Sequence, residues 1–242
     1  KINYMPHLVL IRHGQSEWNL ENRFTGWVDV DLSPKGKLEA CKAGELIKEK
    51  KIIFDYFFTS YQKRAINTLK LLLNTLRIKD DQIVKAWQLN ERNYGSLTGL
   101  NKNEMKKKLG EKKVHEFRRS WAISPDPLNK NNPYHPLNIE TYKNIPKKNI
   151  PDTESLKDTY ERVIPYFEKE IYNKLQKNTN ILVSAHGNSL RAICKFLFNL
   201  DESKITKLEI PTGNPLLSSF ENNKITECYY LDPERKKDLL VF

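Results

Sequence analysis

Two short stretches of this 242-residue chain read almost alike. Leu8-Val9-Leu10-Ile11-Arg12-His13-Gly14-Gln15-Ser16 and Ile181-Leu182-Val183-Ser184-Ala185-His186-Gly187-Asn188-Ser189 each pass from an apolar run into His-Gly, one amide residue and a serine. Strands buried on both faces of a parallel sheet are apolar runs of this kind. In such a sheet the carboxyl ends of the strands face one crevice, where ligands bind. The pair therefore predicts two neighbouring imidazoles, each followed by a glycine that leaves room for a ligand against the backbone. An imidazole held protonated on one nitrogen presents the other as a nucleophile. Phosphorus suits it as a target, because phosphoryl transfer asks a protein mainly for positioning and charge stabilisation. Arg12 beside His13, and Arg64 at the start of a helix that follows another strand end, offer the forked donors that phosphoryl oxygens take. A lone histidine at a strand end is more often a hydrogen-bonded loop residue. The matched pair, in a chain with five histidines, points to chemistry.

The elements that must position these groups follow from periodicity and caps. Ser33-Pro34 predicts a helix start, with serine as N-cap and proline in the first turn. Leu38, Cys41 and Ile47 form its expected apolar stripe. Ile52 to Phe58 predicts a second strand, and Ala65, Leu69, Leu72 and Leu76 the inner face of the next helix. Ile83 to Leu89 reads as a third strand ending before Glu91, and residues 101 to 121 as one or two lysine-laden helices. Between 122 and 152 lie six of the twelve prolines, which predicts an irregular segment of the length that often covers a site. Ser155 and Asp158 form a capping box for a helix reaching about Lys177. The helix after His186 turns Leu190, Ile193, Cys194 and Leu197 inward, and Asn222-Asn223 turns a hairpin between Leu216–Phe220 and Ile225–Tyr230. Strands alternating with helices predict a three-layer α/β fold: a mostly parallel central sheet with an antiparallel edge strand, and helices on both faces. No composition break divides the chain, so residues 1–242 read as one domain with an irregular active-site insertion at about 122–152.

Composition narrows the classes. With 41 Lys and Arg against 30 Asp and Glu, the net charge is +11 and anionic partners are expected. No apolar run approaches the roughly 20 residues that span a bilayer, and no signal-peptide core is visible. Three widely spaced cysteines suit neither a disulfide framework nor a zinc site. Glycine-rich nucleotide loops are missing, and only charge suggests nucleic acid. The expectation is a soluble, reduced, cytoplasmic protein with a small phosphorylated substrate, and neither nucleic acid nor membrane as partner.

Leu8-Val9-Leu10-Ile11-Arg12-His13-Gly14 resembles the signature of the histidine phosphatase superfamily. Trp18-Asn19, Arg23-Phe24-Thr25-Gly26-Trp27, Glu91-Arg92-Asn93-Tyr94-Gly95, Gly99-Leu100-Asn101-Lys102 and Arg118-Arg119-Ser120 resemble, in this order, its cofactor-dependent phosphoglycerate mutases. The likeness runs from about Leu8 to Tyr230. It implies that His13 becomes phosphorylated, that Arg12, Arg64 and His186 surround the phosphoryl group, and that Glu91 is the general acid/base. It implies substrate binding by Asn19, Thr25, Gly26, Tyr94, Lys102, Arg118, Arg119, Gly187 and Asn188. It further implies interconversion of 3- and 2-phosphoglycerate, 2,3-bisphosphoglycerate as the donor that primes His13, no metal, and a homo-oligomer, either dimer or tetramer. Gln15 stands where the family commonly has Glu, and Asn93 where it often has His. The residues lean the same way, since a mutase needs a second cationic site (Lys102, Arg118, Arg119) and a cover against water, here the proline-rich segment. A bisphosphoglycerate synthase or phosphatase, or a broad phosphomonoesterase, is the alternative on the same fold.

Overall fold

The computed structural model describes residues 5–240. In chain order the first half comprises β1 (His7–Arg12), α1 (Glu17–Leu20), α2 (Pro34–Glu49), β2 (Tyr56–Thr59), α3 (Lys63–Thr75), β3 (Ile83–Lys85), α4 (Lys102–Leu109) and α5 (Glu111–Arg119). The second half comprises α6 (Leu156–Tyr166), α7 (Asn173–Leu175), β4 (Ile181–Ala185), α8 (Gly187–Phe198), α9 (Glu202–Ile205), β5 (Leu216–Glu221) and β6 (Lys224–Tyr230). The sheet order is β3-β2-β4-β1-β5-β6. The two echoing runs are thus adjacent and parallel, in register from Leu8 opposite Ile181 to Arg12 opposite Ala185. Among the described strands only β5 runs against the others, pairing antiparallel with both β1 and the edge strand β6; the β5–β6 turn residues Asn222 and Asn223 both take positive φ.

Alternation along β1 divides the core. Leu8 and Leu10 join Ile181 and Val183 on one face, under α6 and α8. Val9 and Ile11 join Leu182 on the other, under α2 and α3. Every one of these residues is buried, which is why both runs are apolar at successive positions rather than alternating with polar residues, Ser184 being the buried polar exception in β4.

Three expectations need correction. Leu38 and Cys41 of α2 face solvent, and its buried side is Gly36, Glu39, Ala40, Ala43, Gly44 and Ile47. Small residues, not large apolar ones, make that face, because α2 sits close against its neighbours: a Cβ on Gly44 would lie 2.7 Å from Cβ of Thr75. The second strand begins only at Tyr56, with Ile53 exposed, and the third stops at Lys85 before a 3₁₀ turn over Trp87–Leu89. The helix from Ser155 does not run uniformly: Pro165 lies inside α6, and a π-helical turn over Phe167–Tyr172 follows before α7.

The loop after β1 is fixed by α2. Ser33 caps α2 by accepting from the Gly36 N–H, and its hydroxyl lies 2.9 Å from Oε1 of Gln15. That amide oxygen thus serves a structural bond, which is what stands at the position where the family commonly has Glu. Backbones meet here, since a Cβ on Gly36 would lie 2.0 Å from the Gln15 carbonyl oxygen. Gly36→Ala is therefore expected to cost about 1–3 kcal/mol, read as a lower midpoint in urea unfolding, because backbone must shift to admit the methyl.

Candidate active site

His13 and His186 leave the sheet side by side, with ring centroids 5.0 Å apart and planes inclined by 60°. The His13 backbone N–H still bonds to the Ala185 carbonyl, continuing the β1–β4 ladder into the site. Nδ1 of His13 lies 2.7 Å from the Gly14 carbonyl oxygen, which can only accept, so Nδ1 carries the proton and Nε2 the lone pair. The guanidinium of Arg64 donates to that Nε2 at 3.3 Å and, through its other nitrogens, to the carbonyls of Val28 and Gly26. Burial, then Arg64 and Arg12, hold His13 well below the ordinary histidine pKa. Burial, then Arg64, His13 and Arg12, do the same to His186. Both rings are neutral at physiological pH, and His13 has the form that attacks phosphorus.

Beside the pair opens a cavity of about 230 Å³. It is lined by Arg12, Glu91, Tyr94, Lys102, Arg118, Arg119, Gly187, Asn188, Arg191, Glu209, Ile210, Pro211 and Lys237. Six cationic side chains thus face two carboxylates, an imbalance that suits a polyanion carrying more than one acidic group. Two of those cations have buried donors with no partner among the described residues: Nε of Arg12 and Nε of Arg191. Gly187 lies beside Arg12 and Glu91, where a Cβ would be in ordinary contact with Arg12 Nε at 3.5 Å and Glu91 Oε2 at 3.8 Å.

Glu91 is buried, and its Oε1 accepts from the backbone N–H groups of Arg92 (2.8 Å) and Asn188 (3.1 Å). The Asn188 amide donates to the Tyr94 hydroxyl at 3.1 Å. Lys102, at the first position of α4, and Arg118 and Arg119, at the end of α5, reach the cavity from the helix pair. Arg119 is paired with Glu209 at 2.8 Å, and Lys237 approaches the same carboxylate at 3.6 Å. Burial and the like charges of Arg118 and Arg12 push the Lys102 pKa down to about 8. A bound anion favours the protonated amine, so above about pH 8 binding has to take up a proton. The dissociation constant for an anionic ligand such as 3-phosphoglycerate is expected to rise with pH from that point. In Lys102→Met the ligand should bind more weakly at pH 7, and this rise should flatten, as titration calorimetry between pH 7 and 9 would show.

The expected site residues are not all in one place. Eight of them line the cavity: Arg12, Glu91, Tyr94, Lys102, Arg118, Arg119, Gly187 and Asn188. His13, His186 and Arg64 are buried beside it. Asn19, Thr25 and Gly26 are not among its lining residues. Oδ1 of Asn19 accepts the Ser16 N–H in the cap of α1, and Gly26, at φ +54°, presents its carbonyl to Arg64 and Gln62. No residue of the proline-rich segment lines the cavity either. Some of its apolar residues turn inward, Tyr142 and Ile145 packing on Trp27 with the Tyr142 hydroxyl bonded to the Trp27 carbonyl, while Ile123, Tyr134 and Leu137 are exposed. Asn93 is structural, its side chain tied to Pro151 and Gly95.

Sequence reasoning passed over several contributors. Gln62 ties the Gly26 carbonyl to the Glu91 N–H. Ser60 contacts His186, with Oγ 2.7 Å from Nε2. Arg191 is buried, donates to Asn188 Oδ1 at 2.9 Å, and has its pKa pushed down to about 9 by burial and then Arg119. A signal existed for Arg191: it lies three residues beyond Asn188, one helical turn along α8. Among the described residues no group of three or more His, Cys, Asp or Glu could hold a metal ion.

A family profile described as histidine phosphatase superfamily (branch 1) matches residues 8–133 and 128–227. Over 239 residues the chain is 70% identical to the 2,3-bisphosphoglycerate-dependent phosphoglycerate mutase of Pelagibacter ubique, covering 98% of this chain and all of that one. The chain belongs to the histidine phosphatase superfamily, in its phosphoglycerate mutase family. Members carrying the same name from Hydrogenobaculum sp. and Parabacteroides distasonis are 51% and 47% identical, covering 90% and 98% of this chain and 89% and 96% of theirs. Among solved structures, a mycobacterial hydrolase aligns with TM-score 0.69 at 18% identity over 93% of this chain and 96% of its own. An α-ribazole phosphatase from Shigella flexneri aligns with TM-score 0.68, also at 18% identity, over 96% and 98%. These two share the fold with this family member. No helix among the described residues is long and apolar enough to cross a membrane.

Proposed function

We propose that the protein is a 2,3-bisphosphoglycerate-dependent phosphoglycerate mutase that interconverts 3- and 2-phosphoglycerate through phosphorylated His13. The observation that carries this reading is the meeting of a neutral imidazole, its Nε2 free of a proton, with a second imidazole 5.0 Å away and a cavity of six cations. The relatives that bear this activity in their names support it over the whole chain. The cavity fits the cofactor, because the orphaned nitrogens of Arg12 and Arg191 and the cationic excess ask for a ligand with several anionic groups. When bound, that cofactor supplies the phosphoryl group that primes His13.

The chain's own residues do the rest. His13 takes the phosphoryl group on Nε2, which requires Arg64 to leave that nitrogen and turn its donors to phosphoryl oxygens. Arg12 and His186 add donors, the electrostatic role that a metal fills in other phosphoryl-transfer sites. Lys102, Arg118, Arg119 and Arg191 hold the far anionic groups of the substrate. Glu91 takes the proton from the attacking hydroxyl and returns it to the departing one. Asn188 and Tyr94 brace the wall between those two ends, and Thr25, Gly26 and Asn19 bind substrate as the family likeness implies, Gly26 also holding Arg64 through its carbonyl. One domain carries all of this, in a cytoplasmic homo-oligomer, dimer or tetramer as the family likeness implies.

Mass spectrometry after incubation with 2,3-bisphosphoglycerate tests the reading. A phosphorylated His13 that monophosphoglycerate discharges is the expected result. Phosphate release that outpaces mutase turnover at saturating cofactor would assign a bisphosphoglycerate phosphatase instead. Rapid turnover of p-nitrophenyl phosphate without mutase activity would assign a broad phosphomonoesterase.

A further inference from the structure

We propose that Ser60 is a positioning residue that fixes the tautomer of His186, making its Nδ1–H a donor beside the His13 lone pair. Ser60 directly follows β2 and opens the turn into α3, and both it and His186 are fully buried. Its Oγ accepts the Gln62 N–H at 3.1 Å and lies 2.7 Å from Nε2 of His186. A serine hydroxyl has one hydrogen to give, and a buried donor left without an acceptor costs about 1–3 kcal/mol. With Gln62 already donating to Oγ, the acceptor in reach of that hydrogen is Nε2. His186 therefore accepts at Nε2, and a neutral ring then carries its proton on Nδ1. That Nδ1 is buried and has no hydrogen-bond partner among the described residues.

The same tautomer gives the two rings opposite tasks. In His13 the Gly14 carbonyl consumes the Nδ1 proton and leaves Nε2 as an electron pair. In His186 the serine consumes the Nε2 electron pair and leaves Nδ1–H as a donor. One imidazole thus offers its lone pair to phosphorus, and the other offers a hydrogen to a phosphoryl oxygen. The catalytic consequence rests on the phosphohistidine reading above; the tautomer does not.

The test is ¹⁵N NMR of the full-length protein labelled at histidine, with His186 assigned by its loss in His186→Gln. The expected signature is a protonated Nδ1 and an unprotonated Nε2 in the wild type. Ser60→Ala should shift the ring towards Nε2–H and lower mutase kcat by about ten- to a hundredfold, the usual scale for removing a group that orients a working histidine. Ser60→Thr, which keeps the hydroxyl, should keep the Nδ1–H signature. A wild-type His186 protonated on Nε2 overturns the inference, as does an unchanged tautomer in Ser60→Ala. Should Ser60→Ala fail to fold, the wild-type spectrum still decides. An Nδ1–H signature in a protein that never forms phosphohistidine would sustain this inference while removing the mutase reading.

Discussion

Replacing His13 with alanine is expected to abolish covalent labelling by 2,3-bisphosphoglycerate and to lower mutase turnover by at least about 10⁴-fold. The estimate follows the scale seen when a covalent nucleophile is removed from a site whose other groups remain. Neither His186 nor the arginines can substitute. His186 has its Nε2 against Ser60, and the arginines carry no lone pair to give. The fold should survive, because the side chain makes one hydrogen bond to Gly14 and accepts one from Arg64. Their loss costs about 1 kcal/mol each. Intact-mass measurement alongside circular dichroism separates the two effects. A variant that folds and still gains a phosphoryl group on another residue would refute the role given to His13.

Glu91→Gln should be nearly as severe, for a different reason. The carboxylate oxygen Oε1 accepts two backbone N–H groups, and a glutamine oxygen can accept both in the same place. What changes is Oε2, which stands near Gly187 at the cavity wall and is the atom able to carry a proton. Loss of a general acid/base lowers kcat by about 10²- to 10⁴-fold. The variant should still phosphorylate His13 from p-nitrophenyl phosphate, whose phenolate leaves without needing a proton, while failing with phosphoglycerates. An equal loss with both donors would mean that Glu91 holds charge or structure and moves no proton.

Much of this arrangement could be read from residue order, and the misreadings have a common cause. The β1 and β4 runs were legible because strands buried on both faces carry consecutive apolar residues with little polar interruption, and their parallel pairing followed from the shared His-Gly ending. The buried face of α2 was not, because close backbone approach selects glycine and alanine, which carry little hydrophobic signal. Ser60, Gln62 and Arg191 share a second difficulty. Each is a polar residue whose importance comes from one partner far away in the chain, His186, Glu91 or Asn188, or from a neighbour across a turn. The proline-rich segment is a further case. Its composition announced irregular backbone, which it has, yet Tyr142, Ile145 and Leu128 are buried, so it packs as a wall. Composition reports the lack of regular hydrogen bonding and says little about where side chains point.

The level ending of β1 and β4 has a consequence for how such a site can change. Adjacent strands stand about 4.8 Å apart, a figure set by backbone hydrogen bonds. The rings that extend from them, 5.0 Å between centroids, inherit that gauge from the sheet itself. Apart from Arg12, which belongs to β1, and Arg191 on α8, the cations of the wall have no such anchor: α4, α5, the turn around Glu209 and the segment bearing Lys237 can lengthen or exchange charges without disturbing the gap. A ruler built into the scaffold, with adjustable surroundings, lets one architecture retain its phosphoryl-sized opening while the molecules admitted to it diverge.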